Sequence, residues 1–215
     1  MIPIVPAFIP QSEADAIEKL QSLQFSPEVH LDVVDGKFTP ATSWPCRPTG
    51  DPVAVKQYAD QFTLEVDLMI DEPLLAAADW ITAGADMLVF HVETVSLENF
   101  KNFEDFTHVS IGVSAHGDTP VSTLLAYAKF ADYVQLMGIY EIGAQGQPFD
   151  ETVLEKIVAV KAAYPDKAIT VDGSVNEHTI VRLKEAGVDR FIVGSAITLQ
   201  PDPEAAHKAL SLLIN

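Results

Sequence analysis

Positive charge is scarce in this chain. Thirteen lysines and arginines stand against 31 aspartates and glutamates in 215 residues, a formal charge of −18. Nucleic acids and anionic membranes are held by basic faces, so neither is expected as a partner. Any anionic ligand must be held locally, by backbone N–H groups rather than by a general positive field. Cysteine is scarcer still: Cys46 is the only one, which excludes an intrachain disulfide and suits a cytoplasmic thiol. No apolar run approaches the roughly 18–20 residues that span a bilayer. The opening MIPIVPAFIP is apolar but has no basic flank and carries three prolines, so it reads as a strand rather than a signal peptide. The expectation is a soluble, cytoplasmic chain.

What is present is alternation. Strand-like runs fall near Ile2–Phe8, Glu28–Val34, Phe62–Met69, Met87–His91, His108–Val113, Tyr133–Met137, Ala168–Asp172 and Arg190–Val193. Amphipathic stretches lie between and after them: Ser12–Leu23, Val53–Ala59, Pro73–Ala83, Ser96–Phe103, Pro120–Phe130, Asp150–Ala163, Glu177–Ala186 and Pro203–Leu212. AGAD at Ala83–Asp86 and AGVD at Ala186–Asp189 repeat a helix stop, with glycine just past the helix and a strand following. Eight such units with short connections predict one domain over residues 1–215, a (β/α)8 TIM barrel; a doubly wound open sheet is the alternative. The longest irregular stretch, Asp35–Pro52, is placed where an active-site flap would be.

The unusual polar residues of apolar strands gather at predicted strand ends. His30 and Asp32 are two apart and share a face. Together they suit a metal or an oriented general base; the alternative is a pair of merely hydrogen-bonded polar side chains. Asp67, with Glu65 on the same face, interrupts a strongly apolar run and needs a partner, since a lone buried carboxylate costs several kcal/mol. A cation shared with His30, Asp32 and Asp172 would supply one, and so would a hydrogen bond from a neighbouring loop. Asp172 ends the run AITVD, across the barrel from Asp32, or else serves only as a turn residue. Two opposed carboxylates can take a proton from one face of a flat intermediate and return it to the other.

The loops GAQGQ (Gly143–Gln147), DGS (Asp172–Ser174) and GSA (Gly194–Ala196) follow the last three strands, where barrels commonly hold phosphate. His91 and Glu93 are candidates for orienting groups, and His116 and Asp118 for substrate contact. No lysine or arginine falls at an inward strand end, which removes a Schiff-base mechanism. The absence of an Asp–x–Lys–x–x–Asp array on the third strand argues against barrel decarboxylases.

With HLDVVDGKF, EVDLMI, FHVE, GAQGQPF, VDGSV and VGSAI in matching order and spacing, the chain resembles the ribulose-phosphate 3-epimerase family over essentially its whole length. The resemblance implies an isomerase that interconverts D-ribulose 5-phosphate and D-xylulose 5-phosphate. Asp32 and Asp172 would be its acid and base, and His30, Asp32, Asp67 and Asp172 the ligands of a divalent ion (Zn, Mn or Fe). Gly143, Gly146, Gly173, Ser174, Gly194, Ser195 and Met69 would contact the phosphorylated ketose. Four departures stand out. Asp67 replaces a ligand histidine, adding negative charge and favouring a harder ion. Ala7 replaces a serine, Val34 a methionine and Ser174 a glycine. An epimerase of a hexulose 6-phosphate and a catalytically silent phosphosugar-binding barrel are the alternatives. The sequence leaves the oligomeric state open, a homo-oligomer being one option.

Overall fold

In the computed structural model, which describes residues 4–105 and 108–214, eight parallel strands close into a barrel in chain order. They are β1 (Ile4–Phe8), β2 (Glu28–Val34), β3 (Thr63–Met69), β4 (Met87–His91), β5 (Ser110–Ser114), β6 (Tyr133–Met137), β7 (Ala168–Asp172) and β8 (Arg190–Val193). β1 pairs with both β2 and β8, so the sheet has no edge and the open-sheet alternative is excluded. The surrounding helices are α1 (Glu13–Ser22), α2 (Lys56–Ala59), α3 (Pro73–Thr82), α4 (Leu97–Lys101), α5 (Val121–Ala128), α6 (Thr152–Ala163), α7 (Ile180–Glu185), α8 (Ser195–Thr198) and α9 (Pro203–Leu213). The start of the strand expected at Ile2–Phe8 lies outside the described residues.

Each strand is buried on both faces, as a parallel sheet under helices requires. Outward residues such as Leu31, Val33, Val66 and Leu68 join one large core with Leu20, Trp80, Ile157 and Leu183 from the helices. Inward apolar residues form only small clusters, Val5–Ala7–Ile192 and Met87–Val89–Tyr133 among them. The space between these clusters is polar, and it holds the site.

The closed end of the barrel is built by one repeated device. Asp86, Asp132 and Asp189 each precede or open a strand, and each accepts the first free N–H of the neighbouring strand. The bonds run from Leu64 N at 3.0 Å, Ile111 N at 2.7 Å and Ile169 N at 2.9 Å. β5 runs Ser110–Ser114 and not His108–Val113 as expected, with its first amide, Ser110 N, bonded to Asp86 O and its second, Ile111 N, to Asp132. The glycines of AGAD and AGVD do adopt the left-handed conformation, with φ of 102° at Gly84 and 101° at Gly187.

Helix starts are later than periodicity suggested wherever a side chain claims the first amides. Asp150 accepts from Thr152 N and Oγ1, so α6 opens at Thr152. Asn176 accepts from His178 N, while Thr179 Oγ1 bonds Ser174 O, and this turn delays α7 to Ile180. The stretch at Val53–Ala59 is a 3₁₀ turn, Pro52–Val55, running into the short α2, and the helix expected at Ser96–Phe103 gives way to a 3₁₀ turn at Asn102. The one-turn α8, which begins within GSA at Ser195, was not expected.

The Asp35–Pro52 segment is anchored rather than loose. Trp44 is buried against Trp80 with ring centroids 6.0 Å apart, and Ser43 Oγ accepts Val34 N at 3.0 Å. Phe38 and Ala41 pack on the Val34–Met69–Met137 cluster, so this segment forms a wall of the barrel mouth.

Candidate active site

At the carboxyl ends of β2, β3 and β7, His30, Asp32, Asp67 and Asp172 each bring one ligand atom to within 4.8 Å of the others. Strand register makes this possible: Asp32 is level with Asp67 across β2–β3, and Asp172 is level with Met137 across β6–β7. One imidazole and three carboxylates are a donor set that could hold a divalent ion, with oxygen ligands predominating.

The ligand histidine is held from below. His30 Nδ1 lies 2.6 Å from Glu65 Oε2, which leaves Nε2 facing Asp32 Oδ1 at 3.1 Å. Glu65 in turn accepts from Arg190 Nη1 at 2.6 Å and from Tyr133 OH at 2.5 Å, while Arg190 Nε reaches Glu28 Oε2 at 3.1 Å. This polar layer was invisible in the sequence apart from Glu65, because Arg190 opens a strand of apolar residues 125 positions away. The partner required for Asp67 comes from neither a loop nor a shared cation alone. His91 Nε2 donates at 3.0 Å and Gln135 Nε2 at 2.7 Å, both from barrel strands. His91 thus orients a carboxylate of the cluster. Gln135 was missed, although a glutamine inside YVQLM carries the same signal that exposed Asp67.

Electrostatics separate the two layers. Burial would lower the His30 pKa, but the Glu65 charge and the hydrogen bonds that the ring donates to Asp32 and Glu65 outweigh it and hold the ring well above its usual value. Burial would raise Glu65, yet Arg190 and His30 drive it well below the ordinary carboxylate range. Asp32 is raised by burial and by the Asp67 and Glu65 charges, against the opposing His30. Asp172 is raised well above its usual value, by enclosure first and then by the Asp32 charge. Asp32 and Asp172 this close cannot both ionise freely without a cation.

Above the cluster lies a cavity of about 220 Å³. Asp32 and Asp172 reach its lining, together with Met69, Gly143, Gly146, Gly173, Ser174, Gly194 and Ser195, so the residues that the family resemblance assigned to the phosphorylated ketose are brought to one place. Sequence reasoning missed Ile9 and Asn176, which line it too, while Gln145 lines it from within the GAQGQ loop. Ser174 has φ 54°, a left-handed conformation that glycine adopts without strain. Among the described residues the lining contains no lysine or arginine. His116 lines a separate hollow of about 360 Å³ with Phe38 and Glu141. It pairs with Asp118 at 3.1 Å, and Glu93 ties the same loop by accepting His116 N at 2.9 Å. Neither His116 nor Asp118 reaches the main cavity, so the structure separates both from the cluster.

A closed (β/α)8 barrel with acids and an imidazole gathered under glycine turns at its carboxyl-terminal face has the architecture of a barrel enzyme. The model described as the ribulose-phosphate 3 epimerase family matches residues 4–198, and the chain belongs to that family. It is accordingly an isomerase, of the epimerases that act on carbohydrates. The chain is 30% identical over 213 residues to the ribulose-phosphate 3-epimerase of Mycobacterium bovis, covering 96% of this chain and 90% of that one. It is 34% identical over 187 residues to the Bacillus subtilis ribulose-phosphate 3-epimerase, covering 83% and 82%. Among solved structures, a 3-hexulose-6-phosphate synthase superposes with a TM-score of 0.73 at 18% identity, over 100% of both chains. That likeness concerns the fold.

Proposed function

We propose that the protein, acting as one domain over residues 1–215, interconverts D-ribulose 5-phosphate and D-xylulose 5-phosphate by inverting C3. The observation that carries this reading is the convergence of His30, Asp32, Asp67 and Asp172 within 4.8 Å at the floor of a glycine-rimmed cavity. The C3 hydrogen lies next to the ketose carbonyl, so a carboxylate can remove it as a proton. Asp32 and Asp172 are the acid and the base. One takes the proton from one face, the other delivers a proton to the opposite face, and the roles exchange when the reaction runs backwards. Met69 and Met137 give the cavity an apolar wall that keeps water from the planar carbon.

His30, Asp32, Asp67 and Asp172 hold a divalent ion, and their oxygen-rich set favours Mn or Fe over Zn. When bound, that ion supplies Lewis-acid stabilisation for the charge that develops on the ketose oxygens. The phosphate rests against the turns at Gly143–Gly146, Gly173–Ser174 and Gly194–Ser195. With no cationic side chain in the described lining, backbone N–H groups do the holding. The single cysteine supports a cytoplasmic enzyme.

The test is epimerisation of D-ribulose 5-phosphate by purified protein with added Mn²⁺, Fe²⁺ or Zn²⁺, beside Asp32→Asn and Asp172→Asn. Turnover in the parent that is lost in both variants supports the two-aspartate reaction. Failure with every ion removes the ribulose 5-phosphate assignment.

A further inference from the structure

Asp67 is gripped from both sides, its Oδ1 by His91 Nε2 and its Oδ2 by Gln135 Nε2. Each donor has a second polar atom, His91 Nδ1 and Gln135 Oε1, that is buried without a hydrogen-bond partner among the described residues. With the ring donating only through Nε2, both leftover atoms are acceptors. A neutral imidazole that gives its Nε2 proton to a carboxylate keeps a lone pair at Nδ1, and an amide donating through nitrogen presents only its carbonyl oxygen.

Two further unpartnered buried atoms, Ser114 Oγ and Thr170 Oγ1, lie in the same row. His91 is level with Ser114 across β4–β5, and Gln135 is level with Thr170 across β6–β7. The pairing of Val113 with Val134 sets Ser114 beside Gln135 one step further along β5–β6. Their outward neighbours Val113, Val134 and Val171 belong to the core under the helices, so these side chains face the barrel interior. His91, Ser114 and Gln135 are fully buried and Thr170 is 1% exposed. Each hydroxyl carries one rotatable proton, so two donors stand beside two acceptors in a place where unpaired polar atoms are costly.

We propose that Ser114 and Thr170 are positioning residues for the ion-binding cluster. They close a hydrogen-bonded relay, Ser114–His91–Asp67–Gln135–Thr170, whose outer links are each made across one bridging water, and so fix the Asp67 carboxylate toward His30, Asp32 and Asp172. The inference rests on the reading of Asp67 as an ion ligand. It explains how a carboxylate is held in this place: both its oxygens are engaged by donors that are themselves oriented from behind.

Two measurements on the full chain test the relay. Histidine-selective ¹⁵N NMR of ion-free protein is expected to show His91 as one neutral tautomer, protonated at Nε2 and hydrogen-bonded at Nδ1. Ser114→Ala should shift the Nδ1 resonance toward that of a free acceptor. Calorimetric titration with Mn²⁺ should show Thr170→Val and Ser114→Ala weakening the ion about tenfold, the low end for groups that orient ligands. Thr170→Ser, which keeps the hydroxyl, should restore affinity, and kcat should fall in Thr170→Val while KM stays level. A doubly protonated His91, an Nδ1 signal indifferent to Ser114→Ala, or Mn²⁺ affinity unchanged in Thr170→Val while only the melting temperature falls would each overturn the relay. A parent protein that neither binds Mn²⁺ nor turns over ribulose 5-phosphate would sink the proposed function instead, and the NMR comparison would still decide the relay.

Discussion

Two polar layers share the inside of one barrel and differ in how their charges are met. In the lower layer Glu28, Arg190, Glu65 and His30 alternate in sign and Tyr133 adds a donor, with hydrogen bonds between 2.5 and 3.1 Å. In the upper layer three carboxylates surround one imidazole, and the described cavity lining brings no lysine or arginine near. Both layers are enclosed and both contain acids. Only the upper one is left short of positive charge. Burial of ionisable groups therefore does not by itself mark a site; an uncompensated set facing a cavity does. The balanced layer has another part to play, since Glu65 turns the His30 ring so that Nε2 faces the cluster.

The comparison can be broken first at the upper layer. Asp172→Asn or Asp32→Asn should lower epimerisation by about 10²–10⁴-fold, the usual share of an acid–base group, with the melting temperature unchanged or higher because like-charge crowding is relieved. In the lower layer the pattern should invert. Arg190→Met leaves Glu65 buried without its cation and should cost about 3–5 kcal/mol in urea denaturation, whereas Arg190→Met with Glu65→Leu should recover much of that loss. Ion loading separates the layers next: Mn²⁺ at a hundredfold excess over its Kd should stabilise the parent by about 2.7 kcal/mol. Addition of a chelator should remove that gain.

Acid titration sharpens the contrast. The Glu65 pKa is lowered on folding, so its stabilisation is complete above the ordinary glutamate value of about 4.3 and is lost as pH falls below it. The parent should therefore lose stability below about pH 5 more steeply than Glu65→Gln; parallel curves would mean that the lower layer is not held by charge. The smallest effect belongs to Ser174, whose left-handed backbone is strained. Ser174→Gly should stabilise the protein by roughly 0.5–1 kcal/mol, read as a shift of the urea midpoint.

Much of the upper layer was legible because each member breaks a local pattern. An acid in LEVDLM, a His–x–Asp pair in a β-branched run and an aspartate closing AITVD all violate the apolar alternation that the strand otherwise obeys. Of the lower layer only His30 and Glu65 were legible, since Arg190 and Tyr133 sit at strand starts, where a polar or amphipathic residue is ordinary. Gln135 lay between these cases: it breaks its strand's pattern, but its meaning depends on Asp67, 68 residues earlier. His116 and Asp118 show the reverse error, a promising pair in sequence that the β5–α5 loop holds outside the main cavity.

What the sequence determined by itself was the order of strands and helices, the face on which each strand's polar residues fall, and the glycine turns at three strand ends. These follow from local periodicity and backbone sterics. Closure of the sheet decided the rest. It set β7 and β2 on one cluster, brought Arg190 to Glu65 and Gln135 to Asp67, and so determined which acids are neutralised and which are left to bind. Charge compensation depends on distances between strands remote in the chain, and no local pattern encodes them.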